Sequence, residues 1–181
     1  MSKPTHILVT GVAGTGKSTL AETLKQKNIP CIDGDYDEGI AYWKHKKTGK
    51  KVTDIHSIYG ISVRFYEWLW DIEKMREFLG NSPEPIIVCG TADNKSEAYP
   101  LFERIVFLTA GEETLNFRLK TRQNNSFGKL ASHRKTAIKD NAESVSHATE
   151  NGFEIIDTSK LSPEQLVEYV TDGKGCSNDN C

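Results

Sequence analysis

Gly11-Val12-Ala13-Gly14-Thr15-Gly16-Lys17-Ser18, with Thr19 next in line, is the stretch that decides how the rest of the chain is read. It matches G-x-x-x-x-G-K-[ST] in full. Glycines at these positions let the backbone fold around a pyrophosphate and aim N–H groups at its oxygens, and a helix starting there adds a positive partial charge. Lys17 supplies a cation to the β- and γ-phosphates, and Ser18 offers a hydroxyl to Mg2+. A plain glycine turn between a strand and a helix would leave the Lys-Ser pair unexplained. Residues 11–19 are therefore the expected seat of a nucleoside triphosphate.

The flanks agree with the motif. His6 to Thr10 is a β-branched run, and Leu20, Ala21 and Leu24 follow the loop at helical spacing. Further short apolar runs lie at Ile29–Ile32, Ile86–Cys89, Arg104–Leu108 and Phe153–Ile156. Their continuous apolar character suits strands of a parallel sheet covered on both faces. Helices are predicted between them over Ile61–Leu79 (Phe65, Trp68, Leu69, Ile72, Met75 and Leu79), Glu112–Arg122 and Ser132–Thr149. A last helix is predicted from Pro163, with Ser162 as its N-cap. The alternation implies an α/β fold, a five-stranded parallel sheet flanked by helices, with ligands at the carboxyl ends of the strands. Tyr36 to Lys51 interrupts it as a loop or hairpin turning at Thr48-Gly49, and Thr171 to Cys181 reads as a disordered polar tail.

With 181 residues the chain fits one domain, expected over 1–171 with a tail at 172–181. A net charge of −2 gives no footprint for nucleic acid or an anionic membrane surface. No apolar stretch approaches the roughly 20 residues that span a bilayer, and the first residues do not read as a signal peptide. Cys31, Cys89, Cys176 and Cys181 form no Cys-x-x-Cys pair, which fits reduced thiols. A cytoplasmic protein is expected.

Asp33-Gly34-Asp35 follows the second run, at the sheet edge where phosphates should lie. Two carboxylates are costly there unless a metal or a proton transfer uses them, although Asp and Gly also suit an ordinary turn. At this point the chain resembles the small P-loop kinases, shikimate kinase and gluconate kinase in particular, and more broadly the nucleoside monophosphate kinases. It is also similar to a group of small bacterial P-loop proteins described as nucleotide or nucleoside kinases. The resemblance implies a P-loop NTPase fold with an acceptor-binding insertion (about 36–80) and a lid (about 118–135). It also implies ATP and Mg2+ as cofactors and a small-molecule acceptor. Carried over, Asp33 would support the Mg2+ shell with Ser18, and Asp35 would hold the acceptor hydroxyl and serve as its base. Monophosphate kinases set an arginine pair at four-residue spacing where a helix enters the lid, a pattern that Arg118 and Arg122 match. On one helix these two would share a face and reach the transferring phosphoryl group. A solvated basic face is the plainer alternative. Arg134 is a weaker candidate beyond the lid.

The chain also departs from those families. Cys89-Gly90-Thr91-Ala92-Asp93-Asn94 is neither the triple glycine of shikimate kinase nor the Asp-Gly-x-Pro-Arg of adenylate kinase, and no acidic residue ends that strand. Gly90 and Thr91 still suit close approach to an acceptor, with Arg64 as a further clamp. Asn94-Lys95-Ser96-Glu97 is a near miss to the guanine-reading N-K-x-D. Lys44, Lys46, Lys47, Lys50 and Lys51 could bind an acceptor's phosphate or form a solvated hairpin. The expectation is an ATP- and Mg2+-dependent phosphotransferase with Lys17, Asp35, Arg118 and Arg122 at its centre. The alternative is a nucleotide-dependent switch or slow ATPase acting through a protein partner.

Overall fold

The computed structural model describes residues 5–52, 65–123 and 127–172. In chain order the elements are β1 (Ile7–Gly11), α1 (Lys17–Gln26), β2 (Cys31–Asp33), β3 (Ala41–His45), β4 (Lys51–Val52), β5 (Tyr66–Trp70) and α2 (Ile72–Gly80). Then follow β6 (Ile87–Cys89), α3 (Lys95–Ala98), β7 (Arg104–Thr109), α4 (Glu112–Thr121), α5 (Ala131–Glu150), β8 (Glu154–Asp157) and α6 (Pro163–Asp172).

Five strands make one parallel sheet in the order β2-β6-β1-β7-β8. Because β1 sits in the middle, the loop after it opens at the centre of the carboxyl edge, with Asp33 and Cys89 paired beside it. Side chains alternate across this sheet and both faces are buried, which explains the unbroken apolar runs. One face packs Val9, Ile87, Val106 and Leu108 against Leu20 and Leu24 of α1 and Leu166 and Val170 of α6. The other packs Leu8, Ile32 and Val88 against Trp70, Met75 and Leu79. α6 begins as the sequence indicates: Gln165 N–H donates to Ser162 Oγ at 3.2 Å, and Ser162 N–H donates to Gln165 Oε1 at 2.8 Å.

Arg104 ties the far edge together. Its guanidinium donates to both carboxylate oxygens of Glu154 on β8 and to the Tyr169 and Val170 carbonyls at the end of α6. Only 22% of the side chain is exposed. Arg104→Met should lower unfolding stability by roughly 2–3 kcal/mol, because Glu154 and two helix-end carbonyls lose their donor together. A urea titration would measure this, and an unchanged midpoint would contradict it.

The structure corrects the helix predicted over Ile61–Leu79. Residues 53–64, and Arg64 with them, lie outside the described residues. Tyr66–Trp70 is a strand, and the helix begins only at Ile72, capped by Asp71, whose Oδ1 accepts from Lys74 N–H at 3.2 Å. β5 pairs antiparallel with β3, and β3 with β4, giving a small second sheet in the order β4-β3-β5. Its hairpin turns at Gly49, which holds a φ of 69°. A second correction concerns the tail: Thr171 and Asp172 belong to α6, and residues 173–181 lie outside the described residues.

Candidate active site

The loop between β1 and α1 lines an open cleft of about 1730 Å³. Gly14 and Gly16 hold φ of 92° and 104°, which L side chains rarely adopt and which a phosphate-cradling turn ahead of a helix requires. Gly11, Val12, Ala13, Thr15, Lys17, Ser18 and Thr19 all border the same space. Lys17 is buried, and its Nζ rests on the Gly11 and Val12 carbonyls at 2.6 and 2.9 Å. Burial lowers its pKa, while the charges of Asp35 and Asp33 pull it back up. Thr15 Oγ1 donates to Val12 O at 2.9 Å, closing the turn from within.

β2 delivers the two carboxylates to different tasks. Asp33 is buried; its Oδ1 accepts from Asp35 N–H at 3.0 Å, and the Ser18 side chain hydrogen-bonds to the same carboxylate. Burial pushes its pKa up. Ser18 and Asp33 are hard oxygen donors side by side at the head of α1, a set that suits Mg2+. Among the described residues no three His, Cys, Asp or Glu side chains gather to hold a metal. A divalent ion would therefore need phosphate oxygens and water to complete its shell.

Asp35 faces the cleft. Thr91 N–H and Trp68 Nε1 both donate to its Oδ1, at 3.2 and 3.3 Å, and the described residues place no hydrogen bond on Oδ2. Burial, aided by the charge of Asp33, pushes its pKa up to about 6, against the pull of Lys17.

The unfamiliar run after β6 builds this corner. Gly90 is needed for close approach: a Cβ there would stand 3.0 Å from the Trp70 ring and 3.1 Å from Asp35 Oδ1. Its closeness is to Trp70 and Asp35, which replaces the expected approach to an acceptor. Thr91 does border the cleft, but its backbone serves Asp35. Asp93 and Asn94 fasten β5: Trp68 N–H donates to Asp93 Oδ2 at 3.0 Å, Trp70 N–H to Asn94 Oδ1 at 2.9 Å, and Asn94 Nδ2 to Trp70 O at 3.0 Å. The near miss to a guanine-reading motif is thus a strand clamp. Nothing in the sequence run alone signals it, because its partners lie 24 and 25 residues away.

On the opposite wall, Arg118 and Arg122 both border the cleft from the end of α4, where Arg122 N–H donates to Arg118 O at 3.0 Å. Arg118 sits inside α4, and its guanidinium donates to Thr158 Oγ1 and O at 2.9 and 2.8 Å and to Gly14 O at 3.4 Å. Thr158 Oγ1 in turn reaches Thr15 O at 2.9 Å. Arg122 is the C-cap of α4, where ψ of 146° leaves the helical path; it borders the cleft, and its charge acts on Lys17. Arg118→Ala should therefore weaken nucleotide affinity and lower unfolding stability together, by about 1–3 kcal/mol each, since the loop loses its outer brace. Calorimetry and a melting curve check both, and a change in only one would show that the brace is not shared.

Arg134 is also a brace: it donates to Gly128 O, Lys129 O and Asn116 Oδ1, holding the turn before α5. Phe127 and His133 stack in that turn with centroids 5.1 Å apart. Residues 124–126 of the expected lid lie outside the described residues. Among the described residues that border the cleft, none of the five insertion lysines appears. Lys51 pairs with Asp71 at 3.0 Å and lies over the Tyr42 ring.

A family model described as AAA domain matches residues 7–140. The chain belongs to the AAA domain family. Among solved structures, this AAA domain is similar to a gluconokinase from Sinorhizobium meliloti 1021 (TM-score 0.54, 21% identity, 96% of this chain and 93% of that one). It is also similar to a shikimate kinase from Bacteroides thetaiotaomicron (TM-score 0.53, 18% identity, 93% and 95%). A deoxyadenosine kinase from M. mycoides gives a TM-score of 0.51 at 14% identity over 93% and 97%. These likenesses establish the P-loop fold of small-molecule kinases. A "Nucleotide-binding protein" of Fervidobacterium nodosum is 30% identical over 166 residues, 91% of this chain and 51% of that protein. Another, of Syntrophobacter fumaroxidans, is 29% identical over 171 residues, 91% of this chain and 52% of that protein. The chain thus spans about half the length of the curated relatives it matches. This AAA domain is a nucleotide-binding P-loop protein built like small-molecule kinases. Among the described residues no helix is long and apolar enough to cross a membrane.

Proposed function

We propose that the chain is an ATP- and Mg2+-dependent phosphotransferase that moves the γ-phosphoryl group to a hydroxyl of a small metabolite. The observation that carries this reading is Asp35, which borders the cleft that the P-loop lines and is held on Oδ1 by Thr91 and Trp68, with no hydrogen bond from the described residues on Oδ2. A carboxylate with a pKa near 6 is ionised at neutral pH yet basic enough to take a proton as the hydroxyl attacks. The donor's phosphates rest on residues 11–19, and Lys17 leaves the loop carbonyls for their oxygens. The acceptor hydroxyl donates to Asp35 Oδ2; its oxygen bonds to the γ-phosphorus as the bond to the β–γ bridging oxygen breaks, and ADP leaves. Asp35 gives the proton to solvent. Arg122, whose charge is felt at Lys17, adds to the neutralisation. Mg2+ bound at Ser18 and Asp33 would supply further charge neutralisation on the phosphates. If the acceptor is itself a phosphate, as in a nucleotide, no base is needed and Asp35 only positions it.

The test is ADP formation from ATP across a panel of nucleosides, nucleotides and sugar acids. Formation that depends on one acceptor class supports the proposal. A second reading, a nucleotide-dependent switch, draws on the relatives of twice this length that are named only for nucleotide binding. It requires acceptor-free phosphate release that a protein partner accelerates.

A further inference from the structure

The second sheet carries an aromatic ladder on one face. The register places Ala41 opposite Trp70, Trp43 opposite Trp68 and His45 opposite Tyr66. Strand alternation puts Ala41, Trp43 and His45 on one face of β3, and Tyr66, Trp68 and Trp70 on the same face of β5. The rungs differ in surroundings. Trp70 is fully buried in the core beneath Gly34 and Gly90. His45 and Tyr66 meet edge to face at the outer end, 5.0 Å apart. Between them, Trp43 and Trp68 are half-buried and border the cleft together with Asp35 and Thr91. Their rings are 4.8 Å apart and inclined at 50°, so they form two walls of an open angle.

Packing accounts for Trp70 and for the part of Trp68 that rests on the core, but it does not account for Trp43. Trp68 spends its indole N–H on Asp35, which locks the ring beside the carboxylate. Trp43 lies outside the buried core cluster and leaves its surface towards the cleft. Apolar area that faces a cleft instead of a core marks a place where something else is covered. Indole faces attract planar bases and the C–H faces of saturated rings, and rings already fixed by a hydrogen bond and a cross-strand partner lose little entropy on binding.

We infer that Trp43 and Trp68 are the acceptor-stacking walls of the site, and that the acceptor is a hydroxylated cyclic compound. Its ring face lies on the indoles while a hydroxyl on that ring, or one carbon from it, meets Asp35. This rests on the phosphotransfer reading and narrows it: an open-chain polyol or hydroxy acid offers no face to the walls. A nucleoside and a cyclitol share the required chemistry and are separated in the test.

Trp68 also orients Asp35, so Trp43 is the residue to change. Steady-state ADP formation is measured with adenosine, myo-inositol and D-gluconate for the parent and for Trp43→Leu and Trp43→Phe, with nucleotide affinity followed in parallel as a check on folding. The expected result is turnover with a cyclic acceptor, a rise in its KM of about tenfold or more in Trp43→Leu, and recovery in Trp43→Phe. A preference for adenosine over myo-inositol identifies a nucleoside, and the reverse a cyclitol. If Trp43→Leu unfolds, Trp43→Thr, whose β-branched side chain suits a strand, takes its place. Preferred use of D-gluconate, or an unchanged KM for the cyclic acceptor in Trp43→Leu, overturns the walls and leaves phosphotransfer standing. If no acceptor raises ADP formation, calorimetry decides. Saturable binding of adenosine or myo-inositol that Trp43→Leu abolishes upholds the walls and overturns phosphotransfer, and absence of binding overturns both.

Discussion

Asp35→Asn is expected to yield a protein more stable than its parent and nearly inactive towards hydroxyl acceptors. The amide oxygen can still accept from Thr91 N–H and Trp68 Nε1, so the corner keeps its geometry. What disappears is a charge that the fold holds at a cost. The carboxyl pKa is raised from 3.8 to about 6, chiefly by burial. Between those values the folded chain keeps a proton that the unfolded chain has lost, so stability falls as pH rises through that window, and the cost is fully present at neutral pH. It amounts to about 3 kcal/mol, which removal of the charge returns as roughly 6–12 °C in Tm at this chain length. Activity moves the other way. Loss of the base should reduce kcat/KM for a hydroxyl acceptor by about 10²–10⁴-fold and leave nucleotide affinity nearly intact. The parent's kcat/KM should fall as pH drops below about 6, and the variant should lack that limb. Turnover preserved in Asp35→Asn would remove Asp35 from the role of base.

Lys17→Met should be as damaging by a different route. The parent's ammonium is seated on Gly11 O and Val12 O and is charge-coupled to both carboxylates. A thioether cannot follow the γ-phosphoryl group, so turnover should fall by about 10²–10³-fold. Its loss also reaches across the cleft, because Lys17 is the largest influence that holds the Asp35 pKa down. Whatever activity remains should therefore show its acidic limb above the parent's. A pH profile of the variant checks this, and a limb in the parent's place would mean that the two residues do not sense each other.

Much of this architecture was legible in the chain because it is local. The P-loop carries its own letters, and the five runs of the parallel sheet announce themselves by continuous apolar character. The stretch from Tyr66 to Leu79 was not legible, for a specific reason. Phe65, Trp68, Leu69, Ile72, Met75 and Leu79 fit three- and four-residue spacing, while Tyr66, Trp68 and Trp70 fit period two. Pairing with β3 settles the first half as strand, and the Asp71 cap marks where helix takes over. Asp71, followed by Glu73 in the first helical turn, was the available signal. The arginine pair was legible as a spacing, whereas the seating of Arg118 on Thr158 and Gly14 was not, because those partners are distant in the chain. The partners of Asp93 and Asn94 come from tertiary structure, which no spacing reveals.

The clamp made by Asp93 and Asn94 has a bearing on strand pairing between molecules. Among the described residues the order β4-β3-β5 places no strand beside the outer margin of β5, and its sequence, Tyr66-Glu67-Trp68-Leu69-Trp70, is the kind of aromatic β-former that recruits another chain edge to edge. Asp93 and Asn94 occupy the N–H groups of Trp68 and Trp70, while Asp93 N–H and Asn94 Nδ2 occupy their carbonyls. Two side chains and one backbone amide thus stand in for a missing strand. At Trp68 and Trp70 the edge groups that another strand would use are already bonded, on the strand that carries the cleft's indole Trp68.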